Sequence, residues 1–409
     1  MLTSLAFIFL AGLATAALCQ RLKLPRIIGM LATGVILGPH ALNLLDPSIL
    51  GISADLRQMA LIIILIKAGL SLNLADLKKV GRPALLMSFI PALSEIAAFA
   101  AFAPLLLGMT RLEAALMGAV LGAVSPAVVV PRMVRLMDIN YGRDKGIPQL
   151  ILAGASLDDV FVIVLFSTFV SMAQGESATI MNLANIPLSI VLGVLLGCAA
   201  GWSLALFFET AYAHQHCVRN SMKVIIVLGV SFFLVAVESW LKGIFSFSGL
   251  LAVMSMACVL QIKSAKFVSK RMSEKFGKLW LASEVILFVL VGAAVDIRYT
   301  FNAGFAVVGM IFLALAFRSA GVLACLIGTG LNAGERLFCV LSYLPKATVQ
   351  AAIGSVPLSL GLPCGNMVLS AAVVSIVITA PLGALGMDVG YKRLLSDGTA
   401  VPTRRWLIK

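Results

Sequence analysis

Two adjacent carboxylates, Asp158 and Asp159, lie near the middle of a long apolar stretch at residues 147–173. The stretch is long enough to cross a bilayer as an α-helix. A carboxylate at that depth costs about 3 kcal/mol, and two neighbouring carboxylates repel each other, which couples their proton affinities. Such a pair indicates a path for cations or protons; neutralisation of both acids by structural partners is the alternative.

The composition is that of a polytopic membrane protein. Of the 409 residues, 61% are hydrophobic and only 12% are charged, and the mean hydropathy is +1.06. The seven cysteines form no CxxC or Cys/His cluster, so neither a disulfide framework nor a zinc site is indicated. We predict an all-α fold with about thirteen membrane-spanning helices, at residues 2–19, 27–39, 58–74, 83–107, 113–131, 147–173, 186–208, 224–241, 244–260, 279–296, 303–329, 337–358 and 366–387.

The positive charges are unevenly distributed between alternate loops. With an external N-terminus, cytoplasmic loops and the C-terminal tail hold 24 of the 31 Lys and Arg, and three more lie within apolar segments. The remaining four fall in external loops, and these are Arg57, Arg111, Lys242 and Arg298. This asymmetry predicts an N-out, C-in topology and accounts for the net charge of +13 without nucleic acid. The basic loop at residues 261–278 is expected to be a plain connector or to contact anionic membrane lipid.

A weak internal repeat relates two parts of the sequence with an offset of 223 residues. The repeat maps Glu95 onto Arg318, residues 125–131 onto 348–354, and Asp158 onto Pro381. Because the offset corresponds to an odd number of predicted spans, the two halves are inverted relative to each other. Inverted halves with paired, Pro- or Gly-interrupted segments are typical of secondary transporters.

The interrupted segments predict two broken helices. Pro126 and Pro131 remove backbone donors, which should leave carbonyls at residues 125–131 unsatisfied. At membrane depth such carbonyls are tolerated only in a protein-lined or water-filled cavity. Together with the Ser125 hydroxyl and one of the two aspartates, they would provide the oxygen ligands that a small hard cation prefers. A kinked structural helix is the alternative.

The remaining buried charges are expected to support this site. Glu95 and Arg318 carry opposite charges in equivalent helices, so we expect them to pair, either as a structural link or as a lock on one conformation. Lys346, Thr348 and Gln350 of the second interrupted segment are expected to support the helix break, and Lys346 to offset the partial negative charge of freed carbonyls.

Four segments of the sequence are LIIILIKAGLSL, GAVLGAVSPAVVVPRM, LAGASLDDVFVIVLF and LPKATVQAAIGSVPL. In combination they resemble the NHA-type sodium/proton antiporters of the monovalent cation:proton antiporter superfamily. The resemblance implies that Asp159 is the principal ion-binding and proton-exchanging carboxylate, assisted by Asp158. It also implies broken helices that cross around residues 125–130 and 346–353, and a homodimer in which a core domain moves against a dimerisation domain.

On this basis we expect one membrane transport unit with two parts and a linking helix. The core, ion-translocating part would comprise approximately residues 83–173 and 303–387. The dimerisation part would comprise approximately residues 1–82 and 186–260, and the linking helix approximately residues 279–296.

The predicted function is secondary active antiport. We expect a multi-pass protein of the cell (inner or plasma) membrane that exchanges Na⁺ or Li⁺ for H⁺ at a midplane aspartate site by elevator-type alternating access, without a cofactor. A K⁺/H⁺ exchanger is one alternative, and a Na⁺-coupled organic anion symporter is another, which should carry more cationic groups in the core than Arg318 and Lys346. An intramembrane enzyme is disfavoured because neither aspartates on separate helices nor DDxxD spacing is evident.

Overall fold

The computed structural model describes residues 1–22, 24–71, 81–174, 180–213, 219–241 and 248–396. Over these ranges the chain is helical, without a β-strand. In chain order the helices are α1 (Leu2–Arg21), α2 (Arg26–Leu37), α3 (Pro47–Gly51), α4 (Ser53–Ser71), α5 (Arg82–Met87), α6 (Ile90–Leu107), α7 (Arg111–Leu121), α8 (Pro126–Asp138), α9 (Ile147–Ala173), α10 (Ile180–Ala213), α11 (Asn220–Trp240), α12 (Gly249–Lys263), α13 (Lys266–Ala293), α14 (Ile297–Cys325), α15 (Ala333–Ser342), α16 (Thr348–Ile353), α17 (Val356–Ser359) and α18 (Gly365–Leu394).

Eight helical segments of the described chain are long and apolar enough to cross a membrane. Three shorter apolar stretches accompany them, at Arg26–Leu37, Phe161–Ala173 and Gly249–Lys263. Helices suit this role because they satisfy every backbone hydrogen bond internally where water is absent. The prediction of an all-α, multi-pass membrane protein is confirmed. The count of thirteen spans and the N-out, C-in orientation stay predictions.

Two basic regions that were predicted as loops are helical. Helix α13 begins at Lys266, so most of the predicted connector at residues 261–278 forms its first half. The buried residues Met272, Phe276 and Trp280 recur every four positions there, which gives the basic segment an apolar face to pack. Arg57, assigned to an external loop, lies inside α4 with only 5% of its surface exposed.

The helices pack in two groups. One group contains α1, α2, α4 and α10–α13, with α13 packed against both α2 and α4. The other contains α5–α9 and α14–α18, with α14 packed along α6 and with α9 beside α7 and α8. The short helix α16 contacts α4 and α13 of the first group. The carboxylates of α9 therefore belong to the second group, and α16 lies where the groups meet.

Two membrane segments of the second group are each divided into two half-helices. In the first segment α7 ends at Leu121 and α8 begins at Pro126. In the second segment α15 ends at Ser342 and α16 begins at Thr348. The non-helical residues between the half-helices are 122–125, the first break, and 343–347, the second break.

The breaks precede the positions that the sequence indicated. The predicted interruptions at residues 125–131 and 348–354 are wrong in position, because helices α8 and α16 begin inside those ranges. A proline at the first position of a helix loses only a donor that has no intrahelical partner, so Pro126 starts α8 instead of disrupting it. Pro131 lies within α8, which continues to Asp138.

The first half-helix of each pair begins with a capping box. Thr110 accepts a hydrogen bond from the backbone N–H of Glu113, and the Glu113 carboxylate accepts one from the Thr110 N–H at 2.9 Å. Asn332 and Glu335 repeat this exchange before α15, at 2.8 and 2.7 Å. Capping fixes the residue at which each half-helix starts. The unpaired carbonyls are at the opposite end of each half-helix, next to the break.

Candidate functional site

The two breaks lie against each other. The backbone N–H of Ser125 in the first break donates to the carbonyl of Pro345 in the second, at 2.8 Å. The Gln350 side chain in α16 donates through Nε2 to the carbonyl of Ala123 at 2.7 Å. These bonds link segments more than 200 residues apart, so the crossed, broken helices expected from the resemblance are present.

The carbonyl groups at the end of α7 are bound by side chains. Lys346 Nζ donates to the carbonyl of Leu121, Arg318 Nη1 to that of Gly122, and Gln350 Nε2 to that of Ala123. A helix C-terminus carries partial negative charge and unpaired carbonyls, which two cations and an amide satisfy here. Lys346 thus binds a freed carbonyl, that of Leu121, and the expectation that carbonyls at residues 125–131 are open to a cation stays a prediction.

Arg318 of α14 connects both breaks to two carboxylates. Its Nη1 bonds to Glu95 Oε2 at 2.9 Å, its Nη2 to Asp158 Oδ2 at 3.1 Å, and its Nε to the carbonyl of Tyr343 at 2.8 Å. The arginine is 1% exposed, so its charge depends on these partners. The pairing of Glu95 with Arg318 that the sequence predicted is confirmed; its role as a lock or a structural link stays a prediction.

Lys346 completes a cluster of four charges. Its Nζ bonds to Glu95 Oε2 at 2.5 Å, and its backbone N–H donates to Thr379 Oγ1 of α18 at 2.9 Å. Two acids, Glu95 and Asp158, thus face two bases, Arg318 and Lys346. With all four side chains ionised the cluster has no net charge.

Asp159 lies outside this cluster. It is 8% exposed, and the described residues provide neither an ion pair for the carboxylate nor a hydrogen bond for its buried Oδ1. Asp158 differs, because its Oδ2 also accepts the backbone N–H of Val124 at 2.7 Å. Successive residues of a helix diverge by about 100°, so the two carboxylates meet different surroundings. Asp159 is therefore the one carboxylate of the pair that lacks a cationic partner in the described structure.

Buried oxygens without partners are concentrated at the same place. Seven buried side-chain nitrogen or oxygen atoms in the described ranges have no hydrogen-bond partner. Five of the seven are oxygens on the breaks, on the two aspartates or at the start of α16, and a sixth oxygen, Gln149 Oε1, lies near the start of α9. The five are Ser125 Oγ, Asp158 Oδ1, Asp159 Oδ1, Tyr343 OH and Thr348 Oγ1. Because buried polar atoms are nearly always bonded, this concentration indicates a place for a polar or charged ligand.

Of the remaining predicted residues, one bonds to a break, one keeps an unpaired oxygen and one does neither. Gln350 supports the second break, since its Oε1 also accepts the backbone N–H of Ala347 at 2.8 Å. Thr348, expected to do the same, keeps a free hydroxyl in the described structure. Pro126 begins α8 and supplies no polar side-chain atom. Thr379 was missed, although its place two residues before Pro381, onto which Asp158 maps, was a usable signal.

Gly383 of α18 allows the second break to lie close. A Cβ atom at position 383 would be 2.3 Å from Cγ of Pro345. Gly383→Ala should therefore displace the break and destabilise the protein by about 1–3 kcal/mol. Gly309→Ala, where a Cβ would have no neighbour within 4 Å, should be neutral or stabilising. Thermal unfolding in detergent measures both, and equal melting temperatures for the two variants would contradict this account of Gly383.

The comparisons with known proteins agree with this fold. Residues 5–387 match the family described as sodium/hydrogen exchanger, transmembrane. The chain is 35% identical over 356 residues to human sodium/hydrogen exchanger 9B2 and 32% identical over 385 residues to that of Mus musculus. These alignments cover 84% and 91% of this chain, but the chain spans only 64% and 69% of those relatives.

A solved structure shares the architecture. The sodium proton antiporter MjNhaP1 of Methanocaldococcus jannaschii at pH 8 superposes with a TM-score of 0.79, covering 96% of this chain and 99% of that one. The two sequences are 22% identical, so the similarity concerns the fold. The helical architecture over nearly the whole chain is thus one that a solved structure also adopts.

Proposed function

Because the chain belongs to the transmembrane sodium/hydrogen exchanger family, we propose that it exchanges a monovalent cation for protons, with Asp159 as the exchanging group. The observation that carries the proposal is the isolation of this carboxylate. Asp158 is held by Arg318 at 3.1 Å, whereas Asp159 has no cationic partner among the described residues. An isolated buried carboxylate binds either a cation or a proton. Competition for that one group couples the two fluxes.

The charges of the site explain why exchange is obligatory. The cluster of Glu95, Asp158, Arg318 and Lys346 is neutral, so the net charge of the site depends on Asp159. With Na⁺ bound or with a proton bound, the site is neutral. When Asp159 is empty and ionised, one uncompensated negative charge would have to move through a low-dielectric environment, which is costly. Only the two loaded forms therefore move readily, and each turnover exchanges one ion for the other.

We assign four oxygens to the cation. Asp159 Oδ1 and Asp158 Oδ1 supply charge, and Ser125 Oγ and Thr348 Oγ1 supply neutral ligands. Ser125 caps α8 without using its hydroxyl for the cap, which leaves that oxygen for a ligand. Carboxylate and hydroxyl oxygens suit Na⁺ and Li⁺. The names of the relatives, sodium/hydrogen exchangers, also support Na⁺ as the transported cation.

We infer the stoichiometry from the pairing of Asp158 with Arg318. Arginine keeps its proton, so the Asp158 carboxylate remains paired and ionised throughout the cycle. Only Asp159 then releases and takes up a proton, which gives one H⁺ per cation and no net charge movement. If Asp158 or Lys346 also titrated, the exchange would carry current.

The two helix groups support alternating access by movement of one group against the other. The group α5–α9 with α14–α18 contains every residue assigned to the ion, and it is the part proposed to move. The group α1, α2, α4 and α10–α13 would remain fixed, as the dimerisation part of a homodimer, with α13 as the linking helix. We place the protein in the cell membrane, where a proton gradient would drive cation export.

Purified protein in liposomes with a trapped pH dye tests the exchange. Addition of Na⁺ or Li⁺ should move protons and change the fluorescence, and K⁺ should have little effect. A response to K⁺ alone would replace Na⁺ as the substrate and indicate a K⁺/H⁺ exchanger. No response to any of these cations from folded, inserted protein would overturn cation/proton exchange and favour an organic substrate.

The stoichiometry is measured in the same liposomes with a clamped membrane potential. We expect the Na⁺-driven rate to be unchanged when K⁺ and valinomycin set the potential to either sign. A control with a protonophore shows that the dye still follows proton movement. A rate that changes several-fold with potential would mean that a second group titrates in each cycle.

A further inference from the structure

The Tyr343 hydroxyl is the fifth buried oxygen at the site and has no role in the mechanism described so far. Tyr343 begins the second break and is 0% exposed. Its backbone carbonyl accepts Arg318 Nε at 2.8 Å, but its phenolic oxygen has no hydrogen-bond partner within the described chain. Buried tyrosines normally bond through their hydroxyl, and phenylalanine would pack equally well without leaving an oxygen unpaired. The unpaired oxygen therefore indicates that a ligand binds here.

The backbone of α9 makes room for this hydroxyl. A Cβ atom at position 154 would lie 2.1 Å from the Tyr343 oxygen, so only glycine allows the phenol to reach α9 at this point. The guanidinium of Arg318 lies 5.6 Å from the centre of the Tyr343 ring. The Tyr343 side chain therefore lies between the backbone of α9 and the guanidinium of Arg318.

That position is beside Asp158. Gly154 and Asp158 are four residues apart on α9, so they share a face and are separated by about 6 Å along the helix. Helical side chains point back toward the N-terminus, which directs the Asp158 carboxylate over the turn that contains Gly154. The phenol also lies within electrostatic range of Asp158. Asp158 Oδ1, which belongs to α9, and Tyr343 OH, which approaches α9 from the second break, are thus two unpartnered oxygens at the same face of this helix.

We propose that the Tyr343 hydroxyl is a ligand of the transported cation, bound together with Asp158 Oδ1. This inference rests on the proposed function and extends it by one residue. A cation of about the radius of Ca²⁺, such as Na⁺, takes oxygen ligands at about 2.4 Å and so bridges two oxygens up to about 5 Å apart. The hydroxyl supplies a neutral donor, so it increases cation affinity without changing the charge of either loaded form.

The test compares wild type with Tyr343→Phe, which removes only the oxygen. Without Na⁺ or Li⁺, the variant should melt at the same temperature as wild type or higher, because the hydroxyl has no protein partner to lose. The Na⁺ concentration for half-maximal exchange should rise about tenfold, with an unchanged maximal rate. The Na⁺ concentration for half-maximal thermal stabilisation should rise by the same factor. Tyr391→Phe, which removes a phenolic oxygen at the end of α18, should match wild type in every measurement.

The outcomes separate this inference from the proposed function. If wild type responds to Na⁺ and Tyr343→Phe has the same half-maximal concentration, the hydroxyl is not a ligand and the inference alone fails. If the variant melts lower without cations, the hydroxyl has a structural partner, which also overturns the inference. If wild type shows no exchange with any cation, both the proposed function and the inference fail.

Discussion

Asp159→Asn is expected to abolish cation/proton exchange while leaving the protein folded. The substitution keeps the shape of the side chain but removes the negative charge and the group that takes up a proton. Because Asp159 has no ion pair in the described chain, its replacement breaks no salt bridge. It also removes the repulsion between neighbouring carboxylates, so the melting temperature without cations should be unchanged or higher. The Na⁺-induced fluorescence change should fall to that of protein-free liposomes.

A second measurement on the same variant tests cation binding directly. Wild type should be stabilised against heat by Na⁺, because the cation binds only the folded state, and Asp159→Asn should lose this stabilisation. In wild type, protons should compete with the cation. In the pH range where Asp159 is mostly protonated, the half-maximal Na⁺ concentration should rise about tenfold for each unit by which the pH falls. Asp138→Asn, which removes an exposed carboxylate at the end of α8, should behave as wild type. Normal exchange by Asp159→Asn would exclude Asp159 as the carrier.

Asp158→Asn should give a different result, because Asp158 is part of the charge cluster. Its loss leaves Arg318 with Glu95 as its remaining carboxylate partner and removes the acceptor of the Val124 N–H. Exchange should be weakened, since the site then carries one more positive charge in each loaded form, whereas the stoichiometry should stay at one H⁺ per cation because Asp159 still binds both. The Na⁺-driven rate should consequently be lower than that of wild type at either sign of the membrane potential, which the valinomycin experiment measures.

The buried charges of the site could be predicted from the sequence, because burying a charge in a membrane is costly. Carboxylates in an apolar segment of helical length are costly, so Asp158 and Asp159 could be found without coordinates. The 223-residue offset placed Glu95 and Arg318 in equivalent helices, and their 2.9 Å contact follows from the need of each for a partner. The all-α architecture follows from the same physics, because long apolar runs must satisfy their own hydrogen bonds.

Features that arise from the crossing of distant segments could not be predicted in this way. A proline within an apolar run predicts an interruption, whereas Pro126 starts a helix and the break precedes it. Sequence patterns report on neighbours along the chain, and the bonds that link the breaks join residues more than 200 positions apart. Nothing local indicated that Lys346, Arg318 and Gln350 would bind three consecutive carbonyls. The bond from the Val124 N–H to Asp158 is donated by the backbone, so the identity of residue 124 does not indicate it.

Arg318→Gln is expected to have the largest effect on stability of any single substitution at the site. The arginine is 1% exposed and contacts Glu95, Asp158 and the carbonyls of Gly122 and Tyr343. Its removal leaves two buried carboxylates with Lys346 as the one remaining cation of the cluster. Removing one partner of a buried ion pair typically costs about 3–5 kcal/mol, because the other charge stays buried and uncompensated. We therefore expect a strongly lowered melting temperature in detergent, together with loss of exchange.

Adding Glu95→Gln to Arg318→Gln distinguishes two causes of a lowered melting temperature, namely charge imbalance in the cluster and loss of packing by the arginine. In the double variant Glu95→Gln with Arg318→Gln, Asp158 and Lys346 again balance, so the melting temperature should recover part of the loss. Arg132→Gln is the matched control, because it breaks a two-point pair with Asp388 in which both partners are partly exposed. That pair should contribute no more than about 1 kcal/mol. If Arg318→Gln is no more harmful than Arg132→Gln, the buried cluster does not stabilise the crossed breaks, and the charge balance proposed for transport loses its basis.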